Sequence, residues 1–390
     1  MASLSPARAS VGNGGSPRPF TTPVIDRRPL PTLRRNLLAW FDRSHRPLPW
    51  RANRDPYRIW VSEVMLQQTT VAAVVPYYER FLTVFPTVVD LAEADEQHVL
   101  RLWQGLGYYR RARHLHAAAR RLVTEHGNTL PDDPGVWAEL PGVGRYILGA
   151  VLSQAFDRRL PIVEANSLRV LSRWFASRLD PREGEGKKWV WAAAEAVLPR
   201  KRVGDFNQAV MELGALICTP DNPKCGDCPV RNQCAARRLG LQAVIPPKAA
   251  RKETVAVREV AVVLRDGNRL LLCRRPPDAG RWANMWELPR DVVRDGESEP
   301  DAAVRVAAER LGLGVAAGVE TVAVRHGVTR FDITVSAVEA DRAPNQKVRL
   351  AYYTAWRWAD RQSASDYPMS TSMRKLCDEL TNPGRQKRLF

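Results

Sequence analysis

Cys218, Cys225, Cys228 and Cys234 follow a C-x6-C-x2-C-x5-C spacing. Four thiolates in one short loop suit an iron–sulfur cluster or a structural zinc ion. A zinc ribbon usually carries two C-x2-C pairs joined by a longer spacer. Only one tight pair is present here, which favours the cluster. A disulfide set fits less well, because nothing else in the chain suggests secretion. Lys224 and Arg231 lie between the ligands, so the loop is basic and shaped to touch a phosphate backbone. Cys273 and Cys377 are isolated and read as ordinary thiols.

Two further patterns could do chemistry. Leu140-Pro141-Gly142-Val143-Gly144 separates two helical stretches. Its glycines, Gly142 and Gly144, permit positive φ and close approach of the backbone to a partner. The helix beginning at Arg145 then offers unpaired N–H groups, an anion site for one phosphate. The same turn can also serve as a plain helix connection. Glu63 sits in an apolar helix among Val61, Val64 and Leu66. A carboxyl buried there has its pKa raised, as an acid catalyst requires; a surface carboxylate beside a core stripe is the plainer reading.

The elements around these residues fall into two blocks. The chain has 390 residues, a net charge of +17 and 45% hydrophobic residues, enough for two cored domains. The charge points to a polyanionic partner, nucleic acid or an acidic membrane surface. No run matches a membrane span or a signal-peptide core. A soluble, cytoplasmic protein in a reducing compartment is expected. Residues 1–31 are rich in Pro, Gly, Ser and Arg and read as a disordered basic arm, with some likeness to a transit peptide. Residues 32–245 show helical periodicity in runs such as Val74-Tyr78-Phe81-Leu82. Residues 246–257 read as a linker, although strand character already begins at Val255. Residues 258–381 change period: a hairpin turns at Asp266-Gly267-Asn268, a helix runs from Ala302 to Leu311, and strands lie near 322–325, 333–338 and 351–357. Residues 382–390 form a basic tail.

Taken together, the glycine turn and the cysteine loop resemble the helix-hairpin-helix iron–sulfur DNA glycosylases. Pro49-Trp50-Arg51, Trp60-Val61-Ser62-Glu63-Val64-Met65-Leu66-Gln67-Gln68-Thr69, Gly105-Leu106-Gly107-Tyr108-Tyr109 and residues 206–214 narrow the resemblance to the MutY adenine glycosylases. It is close over 33–245. It continues more loosely into a C-terminal part that looks like a Nudix-like lesion-reading domain. The resemblance implies a multidomain fold: an all-α helix-hairpin-helix glycosylase module with an iron–sulfur cluster loop, then a smaller α+β Nudix-like domain. It implies a monomer that acts on double-stranded DNA containing adenine mispaired with 8-oxoguanine or guanine and carries a 4Fe-4S cluster on the four cysteines.

The resemblance also implies roles. Glu63 matches the general acid, and Glu212 a second acidic position near the adenine pocket. Tyr146 matches a position that steers the nucleophilic carboxylate in some members. Leu66 and Gln68 match positions that probe the helix around the lesion, and Tyr108 matches an intercalating aromatic. Arg51, Gly142 and Gly144 fall on DNA-contacting stretches. The chemistry agrees: a carboxylic acid protonates the adenine ring, and a carboxylate supports the oxocarbenium-like sugar while water adds.

The chain departs from the family at several of these places. Where the family carries Asp-Gly-Asn-Val, this chain has Glu164-Ala165-Asn166-Ser167. The charge is kept, with roughly 1.5 Å of extra reach. A misplacement of about 1 Å can cost on the order of 10²-fold in rate. Ala165 replaces a glycine whose φ freedom would help the loop compensate. Two outcomes follow: a pocket rebuilt around Glu164, or a weakened enzyme that binds oxidised mispairs without cleaving. Tyr146 stands where strand-cleaving relatives carry a lysine, so no Schiff base and no β-lyase activity are expected. The helix that would hold magnesium in a Nudix hydrolase offers only Glu309, which implies recognition in place of hydrolysis. The lesion-reading loop, commonly Phe-Ser-His, is Val328-Thr329-Arg330 here. Thr329 keeps a hydroxyl, and Arg330 can bond a purine edge or a phosphate.

Overall fold

The computed structural model describes residues 24–249, 253–328, 330–360 and 362–381. The basic arm before residue 24, residues 250–252 of the linker, Thr329 and the tail after residue 381 lie outside the described residues. In chain order the helices are α1 (Leu30–Ser44), α2 (Pro56–Leu66), α3 (Val71–Val84), α4 (Val88–Glu93), α5 (Glu96–Trp103), α6 (Arg110–His126), α7 (Pro134–Ala138), α8 (Arg145–Phe156), α9 (Ala165–Trp174), α10 (Gly184–Val197), α11 (Val203–Leu216) and α12 (Ala235–Arg238). There follow β1 (Val255–Val263), β2 (Arg265–Asp266), β3 (Arg269–Arg274), β4 (Trp286–Glu287), β5 (Arg290–Val292), α13 (Glu299–Leu311), β6 (Val315–Val328), β7 (Phe331–Arg342), β8 (Ala355–Ala359) and α14 (Thr371–Thr381).

The described residues form two compact units, one of residues 24–45, 163–199 and 208–248, the other of residues 46–162, 200–207 and those described after 248. In the first, Arg34 of α1 donates to the carbonyls of Val197 and Ala196, closing the end of α10. Helix α9 carries the cysteine loop: Arg173 donates to the carbonyls of Thr219, Pro220 and Ile245. One buried guanidinium thus satisfies three carbonyls at the two ends of the loop.

In the second unit α2 is the central helix. Its start is fixed by Pro56 at the first turn and by the Asp55 carboxylate, which accepts from the amides of Tyr57 and Arg58. It is buried almost all round, from Tyr57 to Met65, and packs on α3, α6 and α8. Trp60 meets Trp137 edge to face at 5.3 Å. Met285, from the sheet-bearing part of the unit, joins this same apolar cluster.

That part holds two four-stranded sheets, ordered β5-β1-β7-β6 and β2-β3-β4 with β8 also on β3. Strand β1 runs parallel to β7, Val260 opposite Ser336. Val260 and Val262 face a cluster with Ala303, Val306 and Ala307 of α13. Ala261 and Val263 face Met373, Leu376 and Leu380 of α14. A strand covered on both faces reads as a continuous apolar run, which is why residues 259–264 lack alternation. Several sequence-based bounds change. The helix begins at Glu299, capped by Ser298, where Ala302 was expected. Strand β6 spans fourteen residues, and β1 takes the last three residues read as linker. Helix α14 was not anticipated.

Candidate active site

Glu63 lies on α2 and is 3% exposed. Helix α8 supplies its partners. The Tyr146 hydroxyl donates a short hydrogen bond to Glu63 Oε2, and the Gln154 amide donates to Oε1 at 2.8 Å. Tyr146 and Gln154 are about two turns apart and face the same way. Between them Gly149 lets α8 lie directly on the chain ahead: an added Cβ would stand 2.3 Å from the Pro161 carbonyl oxygen. Burial pushes the Glu63 carboxyl above its ordinary range. The Tyr146 and Gln154 hydrogen bonds and the Arg51 charge pull the other way, and burial outweighs them. The site therefore holds a buried carboxyl whose proton is retained more readily than usual, oriented by two donors. Arg51 also donates to the Arg46 carbonyl at 3.0 Å. Sequence reasoning did not find Gln154, because a glutamine in an apolar helix carries no motif.

Glu164, in the other unit, is the N-cap of α9. Its carboxylate accepts from the amides of Asn166 at 2.8 Å and Ser167 at 2.7 Å, and its own amide donates to Ser167 Oγ at 2.8 Å. This capping box gives the carboxylate a fixed place against the positive end of a helix. Ala165 is the first helical residue and has no positive φ, so its backbone makes no demand for glycine. Asn166 Oδ1 accepts from Arg169 at 2.9 Å, and Arg169 also donates to the carbonyls of Gly214 and Cys218. Gly214 is needed for this approach, since a Cβ there would lie 2.6 Å from that of Asn166. Glu212 is 1% exposed.

Arg169 and Arg173 both reach the backbone at Cys218, where the cysteine loop begins. Cys218, Cys225, Cys228 and Cys234 line one pocket with Arg173, Arg231 and Arg237. All four are free thiols. Burial, together with the neighbouring sulfurs, pushes the Cys228 thiol up to about 12. Four such groups become ligating thiolates together only with a cation among them.

The positions expected to meet DNA lie in the second unit. Gln68 is exposed at φ 59°, just after the half-buried Leu66 at the end of α2. Tyr108 is 46% exposed at φ 48°. The Arg111 guanidinium joins the two turns, donating to the carbonyls of Val64, Met65 and Gln67 on one side and of Leu106 and Gly107 on the other. The two hairpin glycines differ. Gly142 has φ 77°, and a Cβ would lie 2.7 Å from that of His114, so both conformation and space require glycine. Gly144 is the N-cap of α8 and faces open space. In the sheet-bearing part, Arg330 lies at the tip of the β6–β7 hairpin, exposed and over the Phe331 ring at 5.2 Å. Glu309 is engaged by Arg294 and Arg305, and Arg310 meets Asp291.

Two regions of the chain match known protein families. Residues 61–194 match the profile of the HhH-GPD superfamily of base excision DNA repair proteins, and residues 259–379 match the NUDIX domain. The adenine DNA glycosylase of Rattus norvegicus is 46% identical over 218 residues, covering 53% of this chain and 42% of that protein. The adenine DNA glycosylase of Buchnera aphidicola subsp. Acyrthosiphon pisum (strain APS) is 36% identical over 255 residues, covering 65% of this chain and 73% of that protein. Among solved structures, a thermostable thymine-DNA glycosylase is 28% identical with a TM-score of 0.49, covering 54% of this chain and 97% of its own. The chain spans 42%, 63% and 53% of the rat, mouse and human relatives. With a helix-hairpin-helix repair region, a NUDIX region and these identities along most of the Buchnera relative, the chain belongs to the adenine DNA glycosylase family.

Proposed function

We propose that this protein removes adenine from double-stranded DNA where adenine is mispaired with 8-oxoguanine or guanine, leaving an abasic site. The observation that carries the reading is the buried Glu63 carboxyl, its pKa raised by burial, held between Tyr146 and Gln154. Glu63 gives its proton to a ring nitrogen of the flipped adenine. The glycosidic bond then breaks, its electron pair leaving with the base. Glu164 supplies the negative charge that stabilises the cationic sugar, with Asn166 and Ser167 fixing its turn. Water adds to the sugar carbon and returns a proton to Glu63, which resets the acid. Glu212 lines the adenine pocket. Tyr146 orients Glu63 and offers no amine for a Schiff base, so the reaction stops at the abasic site.

Gln68, Leu66 and Tyr108 enter the duplex beside the lesion, while Gly142 and Gly144 present the α8 amides to a phosphate. Thr329 and Arg330 read the opposite base. The module spans 32–245 and the lesion-reading domain 258–381, in a cytoplasmic monomer. Cys218, Cys225, Cys228 and Cys234 would hold a 4Fe-4S cluster, which would order the loop or support DNA affinity and take no part in hydrolysis. Supporting a shared site, the four cysteines line one pocket with Arg173, Arg231 and Arg237.

The test is a single-turnover assay on duplexes with adenine opposite 8-oxoguanine and opposite cytosine, with and without alkali. Alkali-dependent cleavage confined to the mispair supports the reading. Mispair-selective binding with no base release would establish instead a lesion-binding protein disabled by the Asp-to-Glu change.

A further inference from the structure

The turn that carries Tyr108 is costly to hold. Gly105, Gly107 and Tyr108 have φ of 107°, 72° and 48°, three left-handed residues within four. A non-glycine residue in that region persists only where its surroundings fix it. Part of the fixing comes from the sheet-bearing part of the same unit. The Tyr109 hydroxyl accepts from the Gly105 amide at 3.3 Å and donates to the Met369 carbonyl at 3.2 Å. The Met369 amide donates to Gln104 Oε1 at 3.2 Å, and Arg374 donates to the same oxygen at 3.4 Å. Both ends of the turn therefore grip the peptide groups of one fully buried residue, Met369.

From Met369 the contacts continue. Ser370 Oγ accepts from the Met373 amide at the start of α14 and meets Ser372 Oγ at 3.1 Å. Ser372 Oγ meets His326 Nε2 at 3.3 Å. His326 is on β6, opposite Ile333 and two residue pairs from the hairpin tip at Val328 and Phe331. Ser370 and Ser372 are each 5% exposed, and His326 Nδ1 is buried without a hydrogen-bond partner among the described residues. A buried polar chain that is nearly fully satisfied transmits a displacement because each member has few alternative partners.

We propose that His326, Ser372, Met369, Gln104 and Tyr109 form a positioning relay. Through it, the base bound at the β6–β7 hairpin sets how Tyr108 is presented to the duplex. The proposal rests on the glycosylase reading above. Its elements are positioning residues, none of which touches the reacting sugar.

The experiment compares full-length wild type with Ser372→Ala, Gln104→Ala and Tyr109→Phe in single-turnover release of adenine opposite 8-oxoguanine and opposite guanine. The expected result is a preference for 8-oxoguanine reduced on the order of 10-fold, with the rate opposite guanine little changed. Ser372→Thr, which keeps the hydroxyl, restores the preference. A second readout uses Glu63→Gln protein, combined with each variant, on duplexes with 2-aminopurine beside the lesion. Its fluorescence should lose the difference between 8-oxoguanine and guanine. Equal loss on both substrates, or unchanged preference and fluorescence, overturns the relay. A wild type that releases no adenine at all overturns the glycosylase reading instead. The fluorescence comparison still decides the relay in that case.

Discussion

Arg111 donates to the carbonyl of Gln67 at 2.6 Å, and through that contact it ties the Gln68 turn to the Tyr108 turn. Its guanidinium also lies over the Trp103 and Tyr108 rings at 5.4 and 5.6 Å. Burial lowers its pKa to about 10, still far above neutrality. Lysine cannot reproduce this planar fork. Arg111→Lys should lower stability by about 2–3 kcal/mol by orphaning buried carbonyls, and should weaken mispair binding further. Thermal unfolding and a binding titration check the two effects; unchanged affinity would mean the turns hold themselves.

For Glu63, the sign of the pH dependence follows from its raised pKa. The folded state binds this proton more tightly than the unfolded state. Its stabilising contribution is complete below the unfolded carboxyl range and is lost as pH rises through the raised folded value. The single-turnover rate should fall along the same rising limb, since the acid form is consumed. Glu63→Gln should lose on the order of 10²–10⁴-fold in rate and flatten the stability profile over that window.

At Glu164 the carboxylate serves both the reaction and the start of α9. Glu164→Gln keeps an oxygen for the cap and removes the charge. It should lose about 1 kcal/mol of stability, because its NH2 meets one of the two amides the carboxylate accepted from, and should release adenine far more slowly. Glu164→Asp tests reach alone. Unchanged activity in the Gln variant would remove Glu164 from the mechanism.

Cys228→Ser should abolish the visible absorption of cysteine-ligated iron and lower the thermal midpoint. The effect should spread to α9, because Arg169 and Arg173 bind the loop at Cys218. Full iron content in the purified variant would contradict the assigned ligand set.

What could be read in the sequence was local. The cysteine spacing, the glycine turn and a carboxylate in an apolar helix carry their chemistry in residue type and order. Helix α14 carried a signal too, since Met373, Leu376, Cys377 and Leu380 recur at helical spacing behind Ser370. A short, charged stretch beside a basic tail hid it. Gln154, Arg111 and the pairing of Tyr109 with Met369 were not legible. Each has a partner 44 to 260 residues away in sequence, and no periodicity encodes which distant group a buried donor will meet.

Gly149 leaves α8 no room for a side chain on that face. The helix that aims Tyr146 and Gln154 rests on the backbone at Pro161, so the acid's alignment is gauged by the absence of one methyl group. At this position the whole helix would have to back away, carrying both donors from Glu63 at once.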